Sequence, residues 1–227
     1  MRHRFTAPLG ALVITALAVA CGTPAGAPVV KPGGNPASVG PCSPVEIISA
    51  RGSLEPQTGS LVIGRTNRAL VAAIPGATVY EVRYPAGTDF SKSPLKGAGD
   101  LVNHLVAQAA ACPAQRYVFT GYSQGTIVLQ LSYESVPAQL SDRVVAVALF
   151  GSPYHKPGSP GNTGTAPNAP GTYPERQPAA WAARTIDFCN VDDIVCGAGS
   201  SVAAHYSYDN DAQARETVAF VLGKLGQ

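Results

Sequence analysis

The sequence predicts an α/β protein, a central parallel sheet of five strands flanked by helices. Three observations predict it. Short β-branched and aromatic runs alternate with longer runs of helical period, the order that builds strand-helix-strand crossovers. The run Val144-Val145-Ala146-Val147-Ala148-Leu149-Phe150 is apolar throughout, as a strand covered on both faces has to be. A third run, Arg116-Tyr117-Val118-Phe119-Thr120, leads through Gly121-Tyr122-Ser123-Gln124-Gly125 into a segment where Ile127, Val128 and Leu131 recur at helical spacing.

A chain of 227 residues suffices for one domain with a sizeable core. Only 13% of its residues are charged, and its 24 glycines and 20 prolines imply long connections between the elements. Residues 1–20 read as an export signal: Arg2 and Arg4 open it, an apolar run covers 9–20, and the small residues Ala18 and Ala20 close it. That run is too short to cross a bilayer. Of 16 basic and 14 acidic side chains, Arg2 and Arg4 leave with the signal, so the exported chain carries 14 of each. It has no basic stripe interleaved with aromatics, which argues against nucleic acid as a partner.

Residues 21–41 form a Gly/Pro-rich linker whose one charge is Lys31. Cys21, at its start, is the odd one of five cysteines. Ala18-Val19-Ala20-Cys21 resembles a lipoprotein processing box, in which the cysteine becomes the acylated first residue and tethers the chain to a membrane. The usual leucine three places before the cysteine is displaced by one, to Leu17. Cleavage near Ala27, next to an obstructing Pro28, is the alternative.

The folded domain is expected over 42–227. Val45–Ala50 is its first strand, broken by Arg51-Gly52-Ser53-Leu54-Glu55-Pro56. A helix is expected over 60–73, a second strand over 78–83 ended by Tyr84-Pro85, and an amphipathic helix up to Ala111, marked by Leu101, Val102, Leu105, Val106 and Ala109. The strand over 116–120, the helix after Ser123 and the strand over 144–150 follow. Residues 151–180 are a Gly/Pro/Asn-rich loop without the apolar period of a lid helix. A fifth strand over 184–188 precedes a last helix over 211–225, with Val218, Val221, Leu222 and Leu225 on one side.

Gly121-Tyr122-Ser123-Gln124-Gly125 has the G-x-S-x-G form of a nucleophile elbow, a tight turn between strand and helix that exposes a serine hydroxyl at the sheet's carboxyl edge. A serine hydroxyl is a weak nucleophile near neutral pH, so it needs a base to take its proton and an acid to orient that base. Of the four histidines, His3 leaves with the signal and His104 lies in the second helix. His205, between the fifth strand and the last helix, fits the Ser, acid, His order of such sites, and His155 in the long loop is its competitor. Asp187, Asp192 and Asp193 all qualify as the acid by order, the first inside a strand and the other two between Cys189 and Cys196. The four cysteines Cys42, Cys112, Cys189 and Cys196 could form two disulfides, and a Cys189 to Cys196 ring would make a rigid clip around a carboxylate. A zinc site is disfavoured by the spacing and by the lack of a histidine pair, and no metal or cofactor is expected.

The elbow, the Cys189 to Cys196 loop with Asp193 three places before its second cysteine, and the following His205 resemble the cutinases, small lidless serine esterases of the α/β-hydrolase fold. The resemblance covers 42–225. It implies a three-layer α/β-hydrolase with Ser123 as nucleophile, His205 as base and Asp193 rather than Asp192 as acid. Ala50-Arg51-Gly52-Ser53 resembles the family's oxyanion-hole turn, which implies donors from Ser53, by N–H and hydroxyl, and from Gln124, by N–H. It also implies a Cys42–Cys112 disulfide beside Cys189–Cys196. The sequence departs from the family's bacterial members at Gly151-Ser152-Pro153, where they often have Gly-Asp-Pro.

The expectation is therefore a carboxylic ester hydrolase, secreted or held at the cell surface through Cys21. It works as a monomer through an acyl-enzyme on Ser123. Its expected substrates are esters presented at an interface, such as cutin-like polyesters, acylglycerols or other lipid esters, with Tyr84, Pro85, Val202, Ala203, Ala204 and Tyr206 as the rim. A phospholipase or acyltransferase acting on cell-envelope lipids is the alternative. A non-catalytic envelope binding protein on the same scaffold is a third reading, against which the complete set of reactive side chains argues.

Overall fold

The computed structural model describes residues 39–173 and 179–227, so the expected export signal, Cys21 and the linker up to residue 38 lie outside the described residues. The strands are β1 (Val45–Ala50), β2 (Thr78–Glu81), β3 (Arg116–Tyr122), β4 (Val144–Phe150), β5 (Asn162–Thr163) and β6 (Thr185–Phe188). The helices are α1 (Gly64–Ala73), α2 (Ser93–Ala111), α3 (Gln124–Ser132), α4 (Ala138–Ser141), α5 (Ala179–Ala182), α6 (Val202–His205) and α7 (Asp211–Leu225). All pairings are parallel, in the order β2-β1-β3-β4-β6-β5.

Side chains alternate across the sheet and separate two apolar layers. Val45, Ile47, Val118 and Ala146 meet Leu70 of α1 and Val221 and Leu225 of α7. Ile48, Ala50, Phe119, Val147 and Leu149 meet Leu101 and Leu105 of α2 and Val128 and Leu129 of α3. Each of the fully buried leucines and isoleucines contributes about 1.5–3 kcal/mol relative to exposure. The result is the helix-flanked parallel sheet that the alternation of elements predicts, in the three layers that the cutinase resemblance implies.

Where expectation and structure differ, local hydrogen bonds explain most of the difference. The sheet has six strands, because two residues of the long loop, Asn162 and Thr163, pair with Asp187 and Phe188. The first helix starts at Gly64 rather than residue 60. The Glu55 carboxylate accepts from Leu61 N–H (2.8 Å), Val62 N–H (3.1 Å) and the Ser60 hydroxyl (3.0 Å), which holds 60–62 in a turn. β2 ends at Glu81 because the Arg51 guanidinium takes the carbonyls of Val82 (3.2 Å) and Tyr84 (2.5 Å). α2 begins at Ser93, with Pro94 in its first turn, where a missing N–H does no harm.

Among the described residues two disulfides are present, Cys42–Cys112 and Cys189–Cys196. Among the described residues no helix is long and apolar enough to cross a membrane. Gly40, within the expected linker, donates to Gln108 of α2 at 2.8 Å.

The topology itself marks a crevice. The chain passes from β1 outward to β2, then returns to place β3 on the other side of β1. Connections leaving β1 and β3 therefore diverge at their carboxyl ends, the place where open parallel sheets bind ligands. Ser53 follows β1 there and Ser123 follows β3.

Candidate active site

Ser123 sits between β3 and α3 at φ 50 and ψ −116, a conformation that L residues rarely hold. Its N–H donates to Phe150 O at 2.9 Å, and its carbonyl accepts from Thr126 N–H at 2.9 Å. The turn also needs Gly125, since a Cβ there would lie 1.9 Å from the carbonyl oxygen of Ala50. Glycine thus lets α3 start against the end of β1, which brings the serine next to the 51–55 loop.

His205 closes α6, whose start is capped by the Ser201 hydroxyl accepting from Ala204 N–H at 3.0 Å. Its Nε2 lies 2.8 Å from Ser123 Oγ, and its Nδ1 lies 2.9 and 3.0 Å from the two oxygens of Asp193. A carboxylate only accepts, so Nδ1 carries the hydrogen and Nε2 presents its lone pair to the serine hydroxyl. The ring packs against Tyr122, centroids 5.1 Å apart, and the Tyr122 hydroxyl donates to the His205 carbonyl at 2.9 Å. Gly151, at φ +60, is what lets the imidazole sit so close: a Cβ there would lie 2.8 Å from His205 Cε1 and 2.9 Å from Nδ1.

Asp193 is fully buried in the Cys189 to Cys196 ring. Besides His205, it accepts from the N–H groups of Val195 (2.6 Å) and Cys196 (3.1 Å) and from the Tyr208 hydroxyl (2.5 Å). Burial by itself would raise its pKa. The hydrogen bonds from His205 and Tyr208, the His205 charge and the Val195 N–H outweigh that burial, so the carboxyl titrates below its ordinary value. A bridge between Asp193 and Ser201 ties this loop to the start of α6.

The competing candidates are engaged elsewhere. Asp192 accepts from Ser200 N–H at 2.9 Å. Asp187 lies 3.0 Å from His155 Nδ1, while His155 Nε2 lies 3.2 Å from the Pro167 carbonyl. Burial disfavours the charged imidazole, but Asp187 and the carbonyl more than offset that, so the His155 pKa is raised. His104 is buried against Glu46 at 2.9 Å and stacked on Tyr80, so it fills the core.

Ser53 and Gln124 meet across the crevice. Gln124 Nε2 donates to Ser53 Oγ at 3.1 Å and to Gly87 O at 2.7 Å, and Gln124 Oε1 accepts from the Ser93 hydroxyl at 2.8 Å. Because Ser53 Oγ accepts from Gln124, its own proton is left to give to a substrate oxygen. The loop is braced from below by Arg51, whose Nε donates to Glu55 O at 2.8 Å, and by Glu55, which accepts from Gly52 N–H at 2.6 Å.

The family model for Cutinase matches residues 41–225. The chain belongs to the cutinase family. Among curated relatives it is similar to a carboxylesterase, Culp1, of Mycobacterium tuberculosis, 33% identical over 195 residues that cover 85% of this chain and 87% of that one. It is also similar to a phospholipase, Culp4, of the same organism, 32% identical over 76% of this chain and 75% of the relative. Among solved structures, a cutinase-like protein from Cryptococcus sp. aligns with a TM-score of 0.74 and 29% identity, covering 84% of this chain and 98% of the other.

One expectation about the rim is corrected. Tyr84 is buried, with the Arg51 guanidinium 4.7 Å from its ring centroid and its hydroxyl donating to the Arg51 carbonyl, so it belongs to the support of the 51–55 loop. Pro85, Val202, Ala203 and Tyr206 are exposed. Sequence reasoning also gave no part in the site to Glu55, Gly151, Ser93 or Tyr208. Of these, Tyr208 alone carried a signal, its position three residues after His205.

Proposed function

We propose that this chain is an exported serine esterase that cleaves lipid or polyester esters at an interface through an acyl-enzyme on Ser123. As a cutinase-family member it is a carboxylic ester hydrolase. The observation that carries the finer reading is the unbroken hydrogen-bonded path from Ser123 Oγ through His205 to Asp193, at 2.8 and 2.9 Å.

In this reading the Ser123 oxygen attacks the ester carbonyl as His205 Nε2 takes its proton. Asp193 keeps the imidazole in the tautomer that can accept, and stabilises the imidazolium that forms. Negative charge then develops on the former carbonyl oxygen. The N–H groups of Gln124 and Ser53 and the Ser53 hydroxyl are the donors for it, and one such donor is worth roughly 10²–10³ in rate. Gln124 opens α3, so the positive end of that helix faces the same charge. The imidazolium gives its proton to the departing alcohol, and a water activated by the same base releases the acid.

An interfacial substrate is supported by the side chains around this edge. Leu54, Phe90, Ile194, Val202 and Tyr206 are large, apolar and exposed, and each comes from a loop or short helix that carries or adjoins a site residue. The similarity to a phospholipase adds phospholipids to the candidate substrates. Export by residues 1–20, with the chain either secreted or tethered through an acylated Cys21, and a monomeric state complete the proposal, and mass spectrometry of the mature amino terminus distinguishes an acylated Cys21 from a free end.

The deciding experiment is p-nitrophenyl ester hydrolysis by wild type and Ser123→Ala, followed by a series of acyl lengths, phospholipid vesicles and a polyester film. Equal turnover by the two proteins refutes the nucleophile. Preference for short soluble esters over every aggregated substrate refutes the interfacial reading.

A further inference from the structure

Among the described residues one buried hydroxyl touches the reacting side chains of the path from Ser123 to Asp193 without a part in the reaction, that of Tyr208; the Tyr122 hydroxyl reaches only the His205 backbone carbonyl. This side chain is fully buried on the connection between α6 and α7. Its oxygen lies 2.5 Å from Asp193 Oδ2, 3.2 Å from Asn190 N and 3.3 Å from Cys196 Sγ. The Asn190 N–H can only donate and a disulfide sulfur has no hydrogen, so the phenol proton points at the carboxylate.

The ring and the hydroxyl do separate things. The ring packs edge-on against Phe150 and against His205, with centroids 6.0 and 6.5 Å away, and a phenylalanine would pack the same way. The hydroxyl completes the set of donors to Asp193. Oδ1 accepts from Val195 and Cys196 and lies 3.0 Å from His205 Nδ1, whereas Oδ2 accepts from Tyr208 and lies 2.9 Å from His205 Nδ1. Tyr208 thus shares one carboxylate oxygen with the group that Asp193 orients. Hydrogen bonds from a neutral donor to a buried carboxylate are short and strong, and each draws charge from the oxygen. Burial and then the Asp193 charge push the Tyr208 phenol above its ordinary pKa, so it stays a donor at any working pH.

We propose that Tyr208 is a positioning residue of this esterase: its hydroxyl fixes Asp193 Oδ2 against the Nδ1–H of His205 and takes a share of the carboxylate charge, and so tunes the base that faces Ser123. The proposal rests on the assignment of Ser123, His205 and Asp193 given above. Removing the hydroxyl leaves more charge on Oδ2, so the imidazolium is better stabilised and the base is lost to protonation at a higher pH. It also loosens the carboxylate, which lowers kcat. Other titratable groups around the pair, Tyr122 on β3, Tyr206 beside His205, Asp187 on β6 and His155 after β4, stay the same in every variant below.

The test measures kcat, KM and the pH profile of kcat/KM on a soluble p-nitrophenyl ester for three variants of the full chain. Tyr208→Phe keeps the ring and is expected to lose kcat roughly tenfold or more, with KM within about twofold. Its acid limb moves to higher pH. Replacing Tyr208 with 3-fluorotyrosine keeps ring and hydroxyl but makes the phenol a stronger donor, and the acid limb moves to lower pH. A purely structural role would change the melting temperature without moving the two limbs in opposite directions. If Tyr208→Phe does not fold, the fluorotyrosine protein decides by itself, an unmoved limb overturning the proposal. Ser123→Ala separates the two levels: an active Ser123→Ala sinks the site assignment and the proposal with it, whereas an inactive one beside unmoved limbs in the Tyr208 variants sinks the proposal alone.

Discussion

Gly151→Ala adds one methyl group to a residue that takes no part in the chemistry, and it should disable the site. The new Cβ would stand 2.8 Å from His205 Cε1. Carbon atoms rest at about 3.5–4.0 Å, so the ring has to retreat by roughly 0.7 Å. It cannot swing away freely, being held by Asp193 at one nitrogen and packed against Tyr122 on its face. A shift of that size spoils the 2.8 Å contact between Nε2 and the serine in length or in angle. Misplacement on the order of 1 Å costs about 10²-fold in rate, so kcat should fall by about one to two orders of magnitude while KM changes little. The backbone adds a second effect, because φ +60 costs an alanine roughly 1–2 kcal/mol that a glycine escapes. For a domain of this size that lowers the melting temperature by about 2–8 °C. Steady-state kinetics on a short p-nitrophenyl ester, with melting curves on the same preparation, measure both. A Gly151→Ala protein with wild-type kcat would show that the imidazole does not occupy the place argued for it.

Two further outcomes follow from the same contacts. Replacing Cys189 and Cys196 by serine opens a ring of sequence separation 7, worth about 2.5 kcal/mol, and also loosens the Val195 and Cys196 N–H groups that hold Asp193, so kcat falls together with stability. The matching Cys42 and Cys112 variant opens a ring of separation 70, worth about 4.4 kcal/mol, yet leaves kcat of the folded protein unchanged; thermal melts and kinetics on the two proteins should show opposite rankings, and a greater kcat loss in the Cys42 and Cys112 protein would contradict this. The His155 pKa is raised in the folded state, so the pair with Asp187 contributes stability that is fully present below about pH 6.5 and disappears as pH rises through the folded value. The melting-temperature deficit of Asp187→Asn should therefore be larger near pH 5.5 than near pH 9, and an equal deficit at both would refute the charged pair.

The apolar strands and the last helix were legible because burial writes itself into local pattern. Val45–Ala50, Val144–Phe150 and Asp211–Leu225 match their expected bounds. The two-residue β5 left no trace, since two residues show no period. Within the site, chain order could offer Asp187, Asp192 and Asp193 as equals, because what separates them is direction: one faces His155, one folds back on Ser200, and one faces His205. The resemblance, not the spacing, pointed to the third. Tyr84 looked like a surface aromatic beside a proline, and only the long reach of Arg51 across the loop shows why it is buried. Gly151 was hidden for a similar reason, as its value lies in a distance to a residue 54 positions away.

The central claim is that Ser123 Oγ is the atom that becomes acylated and that His205 makes it reactive. A p-nitrophenyl alkylphosphonate reports this directly, because it releases one p-nitrophenol as it bonds covalently to an activated serine. Intact and peptide mass spectrometry should find one adduct per chain, on Ser123, forming at least about 10³-fold more slowly in His205→Ala. An adduct on any other residue, or equal labelling of Ser123→Ala, would contradict the account.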